Sequence, residues 1–165
     1  MASKTKQRVT EQDTIENRQR SERTGDAVHD MAENRSDLIR KLISSIPKNG
    51  GSRTGLPMNL QLECHKRCNG FKDVYGRMAW DDVAPTLTTG CFNPSKGRFL
   101  HPEEDRTITI REAALLQTFP RRYKFPAELG KVTLPTQIGN ALPPEFVKRQ
   151  AVVVKKYLEE NSKQF

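Results

Sequence analysis

At 165 residues, with 35% apolar and 7% aromatic side chains and a formal charge of +8, the chain has room for one domain with a core smaller than its length suggests. No apolar run approaches the ~20 residues needed to cross a bilayer, which excludes a membrane partner. Three cysteines, an odd number with no signal peptide ahead of them, argue against a disulfide framework and for a reducing, cytoplasmic setting.

Residues 1–35 hold seven Lys/Arg and seven Asp/Glu, and Val9, Ile15, Val28 and Met31 are too scattered to form a helical or strand face. The sequence predicts a disordered arm over 1–35 and a single folded segment over 36–165. The whole positive excess falls on that segment, with ten Lys/Arg against four Asp/Glu between residues 40 and 100. Such an excess suits a polyanionic partner, although a solvated basic face accounts for the same charge.

Ser36-Asp37 predicts a helix start, with Leu38, Ile39, Leu42, Ile43 and Ile46 at helical spacing and Pro47 as the stop. The glycines at 50, 51 and 55 mark a loop. Runs of β type over 71–80, 84–89 and 98–100 predict short strands separated by turns. Thr109 then opens a helix whose Glu112 completes a Thr-x-x-Glu capping box, with Pro120 as its end. A last helix follows Pro143-Pro144, with Phe146, Val147, Ala151, Val154 and Leu158 on one stripe. The resulting fold class is mixed α/β: a small recognition region of short strands and loops with flanking helices.

Two motif blocks stand out. Arg106-Thr107-Ile108-Thr109-Ile110-Arg111-Glu112-Ala113-Ala114-Leu115-Leu116-Gln117-Thr118-Phe119-Pro120 and Gln137-Ile138-Gly139-Asn140-Ala141-Leu142-Pro143-Pro144 resemble, in order, the last two blocks of the cytosine-C5 DNA methyltransferases. Ile108 replaces a leucine. Ala84-Pro85-Thr86-Leu87-Thr88-Thr89-Gly90 resembles part of the family's target-recognition region, so the resemblance covers roughly residues 70 to 160.

The family's chemistry needs a thiolate to attack C6 of cytosine, an acid near N3, a pocket for S-adenosyl-L-methionine and an extruded base. The Pro-Cys, Glu-Asn-Val and Phe-x-Gly-x-Gly motifs that carry these in the family are missing from the sequence: Cys64 follows Glu63, Cys68 follows Arg67 and Cys91 follows Gly90. The resemblance therefore implies a chain with no catalytic residue of its own, bound to double-stranded DNA and completing a catalytic-lobe polypeptide in trans. It implies Asn140, through its amide, and Leu142, through its backbone, at an S-adenosyl-L-methionine shared with that partner. A non-enzymatic DNA-binding protein and an inactive truncated remnant are the competing readings.

Each candidate has a plainer explanation. Thr86, Thr88, Thr89 and Gly90 suit a groove-facing loop, but threonines also serve strands. Arg77, Lys96 and Arg98 suit phosphates or guanine, but exposed cations are commonly just solvated. Arg106 suits a phosphate or a structural tie, and Arg111, in the first helical turn, is read as structural. Cys64, His65, Cys68, Cys91 and His101 lack a second regular ligand pair, so no metal site is predicted.

Overall fold

The computed structural model describes Val28 and residues 35–66 and 71–162. Helices α1 (Asp37–Ser45), α2 (Glu63–Lys66), α3 (Ile110–Leu116), α4 (Gly130–Asn140) and α5 (Pro144–Asn161) are joined by loops and two single 3₁₀ turns, Pro94–Lys96 and Ala127–Leu129. Most of the predicted arm lies outside the described residues. Within it, Val28 is buried in the main core, and Arg35 donates to the Phe92 carbonyl at 3.0 Å.

The expected strands are absent among the described residues, and the mixed α/β class gives way to helices held by ordered loops. The segments around Arg77, Leu100 and Thr107 do meet, through one parallel bridge (Arg77 with Leu100) and one antiparallel bridge (Leu100 with Thr107). Met78 N donates to Leu100 O at 3.0 Å and Ile108 N to Phe99 O at 2.9 Å. Pairing stops there because each segment turns almost at once. Tyr75 sits at φ +58 just before the first, Gly97 and Pro102 flank the second, and α3 begins directly after the third. Strand-forming side chains here serve a half-buried surface, not a ladder.

Two apolar clusters organise the molecule. In the smaller, Leu42, Ile43 and Ile46 of the α1 region pack on Tyr75 and Leu100. α1 occupies the predicted span, with Ile46 extended and Pro47 preventing continuation. In the larger, Met78, Leu87, Cys91, Phe99, Ile108 and Ile110 meet Ala113, Ala114, Leu134 and Ile138, so α3 and α4 close over the loops.

The capping box forms as predicted: Thr109 Oγ1 accepts from Glu112 N at 3.1 Å, and Glu112 Oε2 accepts from Thr109 N at 2.7 Å. α3 nevertheless stops at Leu116, before Pro120. Thr118 N donates to Leu115 O and Phe119 N to Ala114 O, at 2.9 and 3.0 Å, with Thr118 at φ +69. This is a Schellman closure, which satisfies the last carbonyls and reverses the chain.

Candidate functional site

Leu87 drops into the core and leaves its neighbours Thr86, Thr88 and Thr89 exposed. Gly139 of α4 lies directly on the backbone of this loop. A Cβ at Gly139 would stand 2.6 Å from the carbonyl carbon and oxygen of Thr88 and 2.7 Å from Thr89 N, closer than non-bonded atoms approach, so only glycine fits. The threonine loop and the second motif block are therefore one surface, and Asn140 follows the contact by a single residue.

Of the candidate cations, Lys96 lies beside this region through its contact with Gly90, and Arg98 packs on Gly76. A Cβ at Gly90 would come 2.8 Å from Lys96 Cγ, and one at Gly76 would come 2.7 Å from Arg98 Cγ. The open side of Gly90 is thus filled by the Lys96 stem. Lys96 is exposed and Arg98 half-buried, which suits long side chains that lay their methylenes on protein and carry the charge outward.

Arg77 and Arg106 are placed differently. Arg77 is 0% exposed. Its Nε donates to Ile46 O at 3.1 Å, Nη1 to His101 O at 2.8 Å and Nη2 to Ile43 O at 2.8 Å, and Glu104 O and Asp105 Oδ1 accept from it as well. All five guanidinium donors have partners inside the protein. Arg77 ties α1 to the 101–105 turn and presents nothing to DNA, which corrects its reading as a phosphate or guanine contact.

Arg106 forms a two-pronged bond to Glu112, at 2.8 and 2.9 Å, and a third to Glu104 at 2.8 Å. Burial alone would raise the Glu112 carboxyl. The Arg106 bonds and charge, with the Thr109 amide, outweigh it and hold that group below its ordinary value. Arg106 thus serves the capping box. Arg111 donates to Tyr123 O at 2.8 Å and lies over the Phe125 ring at 5.1 Å.

The second motif block is held by the first. Gln117 Nε2 donates to Ile138 O at 3.2 Å and to Ala141 O at 2.7 Å, while Thr118 Oγ1 accepts from Glu145 N at 3.0 Å. Asn140 and Leu142 stand between these anchors, both exposed, Leu142 at 69%. Nothing local in the sequence marks Gln117, Thr118 and Gly139 as joints. All three fall inside the motif blocks, but their partners lie 21 or more residues away.

Cys91 is 1% exposed, and burial pushes its thiol up to about 11. That is opposite to the lowered value a nucleophilic cysteine requires. Cys64 is exposed and unpaired in a disulfide. Among the described residues no three His, Cys, Asp or Glu side chains gather as a metal site, and no helix is long and apolar enough to cross a membrane.

Comparison with known proteins agrees with the motif geometry. The family model for C-5 cytosine-specific DNA methylases matches residues 2–156, taking in α1 and the segment before it as well as both motif blocks. The type II methylase M.HgiDII of Herpetosiphon aurantiacus is 46% identical over 139 residues, which are 82% of this chain and 39% of that protein. The type II methyltransferase M1.BsuMI of Bacillus subtilis is 37% identical over 123 residues, 74% of this chain and 28% of that protein. DNA (cytosine-5)-methyltransferase 1 of Mus musculus is 37% identical over 93 residues, 54% of this chain and 5% of that protein. The chain spans well under half the length of these relatives. With the family model matching most of its length, the chain belongs to the C-5 cytosine-specific DNA methylases.

Proposed function

We propose that this chain is the DNA-recognition and C-terminal component of a DNA (cytosine-5-)-methyltransferase. It completes, in trans, a catalytic polypeptide that transfers methyl from S-adenosyl-L-methionine to C5 of cytosine, in a restriction-modification setting like that of its type II relatives. The observation that carries this reading is the uncovered surface after the second motif block. α5 is 18 residues long with no buried residue, and Phe146, Val147, Val154 and Leu158 on its apolar stripe are all at least 45% exposed. An amphipathic helix gains its stability by packing such a stripe, so the stripe calls for a second body. The catalytic lobe is that body in this reading.

On this surface Thr86, Thr88, Thr89 and Gly90 face DNA, with Lys96 and Arg98 supplying phosphate contacts that fix register. Arg77 and Arg106 hold the scaffold beneath. Asn140 and Leu142 fit one wall of a cofactor site: a free carboxamide and backbone groups on an exposed turn, held from behind by Gln117. When bound there, S-adenosyl-L-methionine supplies the methyl group. Asn140 orients it through hydrogen bonding, and the Leu142 side chain helps exclude water once the second lobe covers it.

Co-expression tests the reading in cells. The chain is produced in a host lacking cytosine methylation, together with the part of the Herpetosiphon relative that it does not align with. Protection of cytosines from bisulfite conversion at a defined sequence, only when both polypeptides are present, is expected. Complete conversion with both polypeptides folded and abundant sinks it.

A further inference from the structure

Thr118 occupies a position that ordinarily selects glycine. It is the left-handed residue of the Schellman closure of α3, at φ +69, a backbone conformation that strains a β-branched side chain. Glycine would close the helix without strain. Glycine would also lack the one group that Thr118 uses, its hydroxyl, which accepts from Glu145 N at 3.0 Å.

That bond matters because α5 has no cap of its own. Its N-cap residue is Pro143, which makes no side-chain bond, and Pro144 at the first position has no amide to donate. Glu145 N is the first α5 amide that needs a partner, and Thr118, 27 residues away, provides it. Immediately before Thr118, Gln117 holds Ile138 O and Ala141 O. Two consecutive side chains thus grip the 138–145 segment on either side of Asn140 and Leu142, and Gly139 is pressed against Thr88 between them.

We propose that Thr118 is a positioning residue: its strained backbone presents the hydroxyl as a distant N-cap for α5, and with Gln117 it sets the aim of Asn140 and Leu142 toward the cofactor. The proposal rests on the functional reading above for its last step. The capping step stands without it.

The full chain carries the first test. Thr118→Gly removes both strain and hydroxyl, and Thr118→Ser keeps the hydroxyl. Amide hydrogen exchange at Glu145 is expected to speed up about tenfold in Thr118→Gly and to return to the parent rate in Thr118→Ser, while the urea midpoint of Thr118→Gly is unchanged or higher because strain is relieved. Unchanged exchange at Glu145 in Thr118→Gly overturns the proposal. The second test uses the chain reconstituted with the part of the Herpetosiphon relative that it does not align with. Thr118→Gly is expected to raise the KM for S-adenosyl-L-methionine about tenfold with kcat within about twofold, and Thr118→Ser to restore it. An unchanged KM, or a fall in kcat alone, overturns the positioning role. If the parent mixture transfers no methyl group, the functional reading fails and the positioning step falls with it, while the exchange result still decides the cap.

Discussion

Gly139 and Thr88 are in backbone contact: the space a Gly139 Cβ would occupy lies 2.6 Å from the Thr88 carbonyl. This contact fuses the end of α4 to the threonine loop, and a methyl group there must push apart two pieces of backbone, neither of which can rotate away. Gly139→Ala is therefore expected to lower stability by about 1–3 kcal/mol, read as a lower urea midpoint with unchanged slope. A midpoint equal to the parent's would show that the two segments do not share this contact.

Arg77 and Lys96 entered as equivalent DNA candidates and occupy opposite environments. Arg77→Met leaves four carbonyls and Asp105 without their donor and is expected to cost about 3–5 kcal/mol. Lys96→Ala, on the surface, is expected to change stability by less than about 0.5 kcal/mol while weakening DNA binding and reducing the salt slope by about one. Denaturation and salt-titrated DNA binding of the two variants separate the roles. A fully stable Arg77→Met that loses DNA affinity would reverse the assignment.

Acid should unfold the chain through two carboxylates. Burial opposes charge on both Glu112 and Asp105, but the Arg106 bonds, and those of Lys48 and Arg77, hold their folded values below the ordinary ones. A lowered folded value means that the stabilisation is fully present above the unfolded values of about 4.3 and 3.9 and is lost as pH falls through the folded ones. The contribution of these two carboxylates to the urea midpoint is thus expected to be flat from neutral pH down to about pH 5 and to drop below it, on top of the loss that begins as pH falls below 6.5, because burial lowers the folded value of His65. Glu112→Gln, less stable at neutral pH, should show a shallower acid limb. An identical limb in that variant would show that Glu112 does not contribute.

The elements legible in the sequence are those whose signals are local. Ser36-Asp37 with Pro47 bounds α1, Thr109 with Glu112 builds the capping box of α3, and Pro143-Pro144 starts α5. What was missed depends on distant partners. α4 was hidden because Gly130, Pro135 and Gly139 interrupt its pattern, and Pro135 removes one of its own hydrogen bonds, yet Leu134 and Ile138 bury it. The β-type runs around Arg77 and Leu100 are extended but turn before a second pair can form. Arg77 reads as a surface cation because its acceptors lie 24 to 34 residues away. Within the candidate site, Asn140 and Leu142 are candidates that the motif blocks alone supply, while the joints at Gln117, Thr118 and Gly139 emerge only when the two blocks are folded together.

The central claim, that this chain completes a catalytic lobe, is tested most directly by labelled methyl transfer from S-adenosyl-L-methionine to DNA in a purified mixture of this chain and the part of the Herpetosiphon relative that it does not align with. Transfer is expected only with both polypeptides. It should fall at least about tenfold when Val154→Glu places a charge on the α5 stripe, at a position 57% exposed in the isolated chain. No transfer by the parent mixture, with both components folded, or equal transfer by Val154→Glu, would contradict the account.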